Sequence, residues 1–532
     1  MVDSLSRLAI LHGTDKFGLH RYTPHYYDIL QHLQTDSLKM LEIGVGGYGH
    51  HDRGGESLAM WRDFFPNAQI TGIDIERKTM DLGPRVKIMQ GSQVDADFLE
   101  AVIAERGPFD IILDDGSHLN EHVVETFDLL FPTLVPGGIY IVEDVQTAFF
   151  PRYGGSLELT APNTVGFFGG MLREVLDGSR QDIVSIHRFH NMIILQKADP
   201  DAGAPGIAED RRVIAANEAG QFTELAAQGG DDPARLHDAL SGAGDGAVFC
   251  IKDVAADTAL LEQLFAQVDH REILVHFPQA AIHPSASRIL SLGVYPGAFL
   301  IEIGDNDFPS NFAYDAKQAK AAATLEAMGQ AIRDKDATVT GILNYANLAQ
   351  RFFGVEVAME FVEELAARGS TDRRYYHLAS GKRQRAGDWD AVVALNTEAR
   401  AHHPLDPQIN AMLGKGLRKL GRLDEAEECL RAAYKSHPRV NSLVVTLAQV
   451  LEAKGEIDEA ISLHEKSIDL YKPPMRVAQL GVLVRFCEKH GRPENAVAAA
   501  KRLLELSPGD ELAVQVIEKH RQAVGADGKA EG

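Results

Sequence analysis

The chain has 532 residues, 53 of them basic (Lys or Arg) and 76 acidic, giving a formal charge of −23. That length exceeds what one hydrophobic core organises, so several domains are expected, and the acidic balance argues against nucleic acid or an anionic membrane surface as the main partner. Cys250, Cys429 and Cys487 are scattered without a CxxC pair, so neither a zinc cage nor a disulfide framework is indicated, and a reducing cytoplasm fits best.

The amino-terminal stretch lacks a basic segment followed by an apolar core, and no apolar run is long enough to span a bilayer, so membrane insertion is not expected. It contains Gly13-Thr-Asp-Lys16 and Arg21-Tyr-Thr-Pro-His-Tyr-Tyr27, the second leading into a helix. The stretch Lys39-Met-Leu-Glu-Ile-Gly-Val-Gly-Gly-Tyr-Gly49 then reads as a strand running into glycines that fit GxGxxG at Gly44, Gly46 and Gly49. Glycine there permits a tight turn and a close backbone approach to a nucleotide. Gly54-Gly-Glu-Ser-Leu-Ala-Met-Trp61 leads into a helix that either closes over a cofactor or buries Trp61 in the core.

A second strand, Gln69 to Ile75, places Asp74 where it can accept hydrogen bonds from ribose hydroxyls. A third, Val86 to Met89, is followed by Gln90-Gly-Ser-Gln-Val-Asp95, whose amides and hydroxyl suit an adenine edge. The first two hundred residues contain no Tyr-x-x-x-Lys, which counts against a short-chain reductase. Glu42, just ahead of the glycines, suits a cofactor carrying an ammonium group, as S-adenosylmethionine does.

Two later strands end in carboxylates: Phe109-Asp-Ile-Ile-Leu-Asp-Asp-Gly-Ser-His118 and Gly138-Ile-Tyr-Ile-Val-Glu-Asp144. Strands buried on both faces of a parallel sheet read this way, and ligands sit beyond their carboxyl ends. Asp114, Asp115, His118, Glu143 and Asp144 are therefore expected at one edge, a combination suited to a divalent cation with a general base beside it. Neighbouring strand residues point to opposite faces, so Glu143 and Asp144 can share an ion only if the strand has ended by Glu143. His122 reads as an ordinary helix-face histidine. Thr147 to Gly155 is either an aromatic lid or a cover for the core, and Ile183 to Gln196 reads as the strand that closes the sheet.

In their order, Leu41-Glu-Ile-Gly-Val-Gly-Gly-Tyr48, Gly54-Gly-x-Ser-Leu-x-Met-Trp61, Gly72-Ile-Asp-Ile75, Asp114-Asp-Gly-Ser-His118 and Glu143-Asp144 resemble the metal-dependent macrolide-sugar O-methyltransferases, of the class I S-adenosylmethionine-dependent fold. The amino-terminal Gly-Thr-Asp-Lys and Tyr-Thr segment is similar to theirs as well. The resemblance covers roughly the first two hundred residues. It implies that Asp115, Glu143 and Asp144 hold Mg2+, that His118 is the catalytic base, and that Glu42, Gly44, Gly46, Tyr48, Ser57, Asp74, Gln93 and Asp114 line the cofactor pocket. The implied acceptor is a hydroxyl of a sugar or glycoside.

The stretch 198–206 reads as a linker. Beyond it, Ala247 to Ile251, Glu272 to Phe277 and Ala298 to Ile303 read as strands, with a helix from Thr258, so a small second α/β unit over 207–325 is expected, for acceptor binding or as scaffold. From about 338 to 523 the chain repeats: Gly387, Gly421, Gly455 and Gly491 are 34, 34 and 36 apart, and Ala426, Ala460 and Ala496 each follow a glycine by five places. Helix, glycine turn and helix at this period is similar to tetratricopeptide repeats, with Gly354 and Ala358 marking a weaker first repeat. Such a solenoid suits a protein partner or self-association. A disordered tail is expected over 524–532. The expected fold is thus a Rossmann-like methyltransferase domain over 1–198, the small α/β unit, and an all-α solenoid. The rival reading is a repeat scaffold whose amino-terminal domain binds the cofactor without turnover.

Overall fold

The computed structural model describes residues 2–527, except positions 19, 161, 202–206, 227–232, 253–258, 305–317, 335–336, 354–358, 360–368 and 472. The chain divides into two compact units, Met1–Ala358 and Met359–Gly532.

The first unit is built on one eleven-stranded sheet. Its strands are β1 (Lys39–Ile43), β2 (Gln69–Asp74), β3 (Val86–Gln90), β4 (Ile111–Asp114), β5 (Ile139–Glu143), β6 (Ile183–Phe189), β7 (Met192–Lys197), β8 (Phe222–Ala226), β9 (Val248–Lys252), β10 (Ile289–Tyr295) and β11 (Ala298–Ile303). The order is β3-β2-β1-β4-β5-β7-β6-β10-β11-β9-β8. From β3 to β5 all pairs are parallel, and from β5 to β9 all are antiparallel. The order reverses across β1, because β2 lies on one side of it and β4 on the other, which opens a crevice at their carboxyl ends.

Alternate residues of the central strands feed two separate cores. Leu41, Ile112, Tyr140 and Val142 face one, while Met40, Ile111, Leu113 and Ile141 face the other. The second core also takes residues of α1 (Ser4–His12), α2 (Thr23–Leu30) and α3 (Glu56–Phe64), and Trp61 is fully buried there against Phe65 and Tyr26. Helices α4 (Ala96–Arg106) and α5 (Asn120–Leu130) cover the first core with Leu99, Val102, Val123 and Phe127.

Three expectations need correcting. Ile183 to Gln196 is two strands, β6 and β7, joined at His190-Asn191, with Asn191 at positive φ (58°). That hairpin does not close the sheet, since β6 pairs with β10, and β8 to β11 extend the same sheet rather than building one of their own. Glu272 to Phe277 lies mostly in a helix, His270–His276; a short apolar run does not by itself distinguish strand from helix.

The helix Val339–Phe353 belongs to the first unit and packs on α1, so the compact boundary falls beyond 338. Gly354 and Ala358 lie outside the described residues. The second unit is a series of helix pairs. The inner helices are Arg373–Ala386, Pro407–Lys419, Asn441–Lys454 and Pro473–Lys489; the outer ones are Trp389–His402, Leu423–Ser436, Ile457–Ile468 and Pro493–Leu506. Gly387, Gly421, Gly455 and Gly491 end the inner helices in left-handed conformation, with φ of 72°, 75°, 85° and 62°. Ala426, Ala460 and Ala496 are each fully buried where the outer helix crosses its partner. The final helix runs through Asp527, into the stretch expected as a tail, and 528–532 lie outside the described residues.

Candidate active site

Strand β5 ends at Glu143, and Asp144 turns left-handed (φ 53°), so the two acids are not forced to opposite faces. The β4 turn does the same at His118 (φ 56°). Gly44 is indispensable to this edge: a Cβ there would lie 2.1 Å from the Asp115 carbonyl oxygen. Asp115, His118 and Asp144 consequently converge, with one potential ligand atom from each within 4.8 Å of the others. His118 Nε2 stands 3.7 Å from Asp144 Oδ2 and 4.0 Å from Asp115 Oδ1.

Glu143 stands apart from this group. Lys16 Nζ donates to both of its oxygens at 2.8 Å and to Asp115 Oδ2 at 2.7 Å, and the Tyr26 hydroxyl also donates to Glu143. Lys16 is 1 % exposed. Burial would lower its pKa, but Asp115, Glu143 and Glu42 outweigh burial and hold it well above the ordinary value, so it is a fixed cation. Burial and the nearby Asp115 push Glu143 upward against that ammonium.

Asp144 is braced differently. The Tyr22 hydroxyl donates to Oδ1 at 2.5 Å and Asn191 Nδ2 donates to the same oxygen at 2.8 Å. Burial opposes ionisation of Asp144, yet His20, His118 and these two donors overcome it and keep its pKa below the usual range. An ionised carboxylate therefore faces His118. Lys16, Tyr22 and Tyr26 come from the amino-terminal segment, to whose side chains the sequence assigned no role; its signals were the similarity of Gly-Thr-Asp-Lys and Tyr-Thr to the family and the polar and aromatic residues interleaved just before a helix.

Glu42 is fully buried on β1, no hydrogen bond of good geometry reaches either oxygen, and its polar neighbours are Ser57 and Lys16, whose Nζ is 3.5 Å away. Burial raises its pKa to about 7 despite Lys16 and Ser57. An orphaned buried carboxylate of this kind fits a positively charged ligand group. Asp74 accepts from the amides of Val45 (3.0 Å) and Glu76 (2.8 Å), with Lys78 Nζ 3.9 Å from Oδ2, which leaves each oxygen a further lone pair. Tyr48 is 91 % exposed with φ 49°, Gly46 is left-handed, and Ser57 lies in the first turn of α3.

Gln93 and Asp114 are less available. Gln93 Nε2 donates to Asp114 (3.2 Å) and Thr126 (3.0 Å) while its Oε1 accepts from the Ser117 amide at 2.7 Å. Asp114 also accepts from the Gly116 amide, and burial lifts its pKa to about 7. Both side chains shape the Asp114–His118 turn from behind. Ser117 Oγ meets His122 Nδ1 at 3.0 Å and accepts from the Leu119 amide, a local turn contact. In the expected lid, Phe149 and Phe150 are buried in the core, Thr147 donates to the Asp144 carbonyl at 2.8 Å, and Tyr153 approaches the site, its ring 6.5 Å from that of His118.

A tetratricopeptide repeat family model matches residues 411–473. Mycinamicin VI 2''-O-methyltransferase of Micromonospora griseorubida is 39% identical over 216 residues, 37% of this chain and 54% of that protein. Demethylmacrocin O-methyltransferase of Streptomyces fradiae is 36% identical over 220 residues, 38% of this chain and 55% of that protein. The chain spans about half the length of the curated relatives it matches. Among solved structures, a similar chain is the MycE methyltransferase from the mycinamycin biosynthetic pathway, in complex with Mg, SAH and mycinamycin VI, at 39% identity over 38% of this chain and 57% of that chain, with a TM-score of 0.35. The amino-terminal part of the chain is thus similar to sugar O-methyltransferases, and its carboxyl-terminal part to tetratricopeptide repeats.

Proposed function

We propose that the chain transfers the methyl group of S-adenosylmethionine to a hydroxyl of a sugar or glycoside, with a divalent cation such as Mg2+. The observation that carries this reading is the convergence of Asp115, His118 and Asp144 at the carboxyl edge of the sheet, on the same edge as the orphaned carboxylate of Glu42. It is supported by the similarity of this stretch to enzymes named for methylating sugar hydroxyls.

Glu42 would accept from the cofactor's ammonium, the turn through Gly44 and Gly46 would let the backbone approach it, and Asp74 would accept from its ribose. Tyr48 and Ser57 border the same opening. Asp115 and Asp144, hard oxygen donors, would hold the cation. Glu143, taken up by Lys16 and Tyr26, would act through the shared ammonium by fixing Asp115. When bound, the cofactor supplies an electrophilic methyl group and the cation lowers the pKa of the acceptor hydroxyl. His118 then takes the hydroxyl proton at Nε2, and Asp144 Oδ2 stabilises the charge the ring gains. Held by Glu42 and Asp74, the cofactor would give up that methyl group to the acceptor oxygen and leave as the neutral thioether.

The test is transfer of labelled methyl by the full chain to a panel of rhamnosyl and other deoxysugar glycosides. Transfer that requires Mg2+ or Mn2+ and stops with chelator is expected. Chelator-insensitive transfer, or cofactor binding without turnover on any glycoside, would overturn the reading, the latter in favour of a scaffold.

A further inference from the structure

Asp115 and Asp144 are each held from behind by a neighbouring side chain, Lys16 and Asn191 respectively. What fixes those two side chains lies far beyond the stretch that carries the resemblance to sugar O-methyltransferases, although still within the first unit.

Asn191 is fully buried at the β6–β7 turn, and each of its polar atoms is engaged. Its Nδ2 donates to Asp144 Oδ1 at 2.8 Å, its Oδ1 accepts from the Gln146 amide at 2.9 Å, and its carbonyl accepts from the Val145 amide at 3.4 Å. Its own amide donates to Asp269 Oδ1 at 2.7 Å. Asp269 stands at the start of the helix His270–His276, yet its side chain does not cap that helix. It reaches the β6–β7 turn instead, where its other oxygen accepts from the Arg188 guanidinium, and neither charged residue is exposed to solvent. Arg188 also donates to the carbonyls of Phe189 (2.5 Å), Met192 (3.3 Å) and Phe265 (3.3 Å). Such a pair contributes little net stability over apolar residues of similar size, so its effect here is geometric: it sets where the turn presents Asn191.

Lys16 is fixed by a still later segment. The helices Gln318–Asp334 and Val339–Phe353 pack on α1, and the second of them also meets loop 11–16. The Thr338 amide and hydroxyl both donate to the Leu11 carbonyl, at 3.0 and 2.6 Å, and Asn344 Nδ2 donates to the Thr14 carbonyl at 3.4 Å. Gly13 and Gly341 meet main chain to main chain. A Cβ on Gly341 would lie 2.5 Å from the carbonyl oxygens of Ile10 and Leu11, and one on Gly13 would lie 2.5 Å from the Thr340 carbonyl carbon. Three residues beyond Gly13, the Lys16 ammonium meets Asp115 Oδ2 at 2.7 Å.

We propose that Asp269 and the helix pair complete the cation site: Asp269 is a positioning residue for Asp144 through Asn191, and the helix pair positions Asp115 through Lys16. The inference rests on the reading of Asp115 and Asp144 as cation ligands. Groups that orient a ligand carboxylate change metal affinity by about 10- to 100-fold when removed. The stretch after residue 207 thereby acts on the site itself, in addition to extending the sheet.

Titration of the full chain with Mn2+, followed by electron paramagnetic resonance, tests this. Arg188→Met/Asp269→Leu replaces the buried pair by apolar side chains, so no charge is orphaned, and it frees the Asn191 amide. Asn191→Gly keeps a backbone that tolerates the φ of 58° and deletes only the bonds of the side chain. Gly341→Ala forces the helix away from loop 11–16. Gly329→Ala is the control: it makes the same change in the neighbouring helix, where the nearest atoms to a new Cβ are 3.6 Å away. The first three should unfold cooperatively and bind Mn2+ at least about tenfold more weakly, and Gly329→Ala should bind it as the wild type does. In Arg188→Met/Asp269→Leu and Asn191→Gly the affinity for S-adenosylhomocysteine should be unchanged, because Glu42 and Asp74 lie on β1 and β2. Wild-type Mn2+ affinity in the folded variants would overturn this inference and leave the cation reading standing. Equal weakening by Gly329→Ala, or parallel loss of both ligands at the β6–β7 turn, would overturn it in favour of general loosening. Absence of Mn2+ from the wild type would overturn the cation reading and this inference with it.

Discussion

The two units handle charge in opposite ways. The first buries it: Lys16, Glu42, Glu143, Arg188 and Asp269 are all 3 % exposed or less. The second keeps it at the surface, in ladders such as Arg431 with Glu427 and Glu459, or Arg492 with Asp458. A buried charge is costly unless paired, so a cluster of buried acids is retained where its field does chemistry. Surface ladders cost little and contribute little.

Removing one side chain at a time should separate these regimes. The largest effect is expected for His118→Ala, which should lower kcat about 10²- to 10⁴-fold with little change in thermal unfolding, because the proposed role is proton transfer and the side chain is partly exposed. An equal fall in stability and rate would reassign it to structure. Lys16→Met should destabilise the first unit by about 3–5 kcal/mol in denaturant titrations, since it leaves Asp115 and Glu143 uncompensated. Lys16→Arg should retain most of that stability, and equal losses in both variants would show that shape rather than charge matters.

Cofactor binding gives a smaller, pH-dependent signal. Burial raises Glu42 to about 7, so it is ionised above that pH and protonated below it. Affinity for S-adenosylhomocysteine, measured calorimetrically, should therefore fall as pH drops through about 7, by up to about tenfold per unit. Glu42→Gln should bind weakly at every pH, with that step missing. The smallest effect belongs to the second unit. Asp406 caps an inner helix through the amides of Gln408 and Ile409 and accepts from His377. Burial acts to raise its pKa, but the His377 and amide bonds bring it down to about 2. A carboxylate depressed in the folded state stabilises above its unfolded pKa and loses that contribution as pH falls toward about 2. Asp406→Ala should cost about 1 kcal/mol near neutrality, and the difference from wild type should vanish under acid.

Local pattern carried much of this architecture. Apolar runs ending in glycine or carboxylate located β1, β2, β4 and β5, and the near-34 period located the helix pairs, because both arise from contacts close in sequence. The extension of the sheet was not legible, since the pairing of β6 with β10 joins segments about a hundred residues apart and no residue announces its neighbour strand. At the site, Asp115, His118 and Asp144 could be placed because each ends a recognisable strand or follows it closely. Lys16 could not, since it meets Glu143 across 127 positions and nothing local distinguishes a buried lysine from a surface one. Gln93 misled for the converse reason: its amide chemistry suits a ligand edge, but the fold turns it inward onto Asp114 and Ser117.

The central claim is the proposal that Asp115 and Asp144, which converge with His118 among the described residues, hold a divalent cation. Counting bound Mn2+ on the full chain by electron paramagnetic resonance tests it most directly. One ion per chain is expected, lost in Asp115→Asn and in Asp144→Asn. No bound ion in the wild type, or binding untouched by Asp144→Asn, would contradict it.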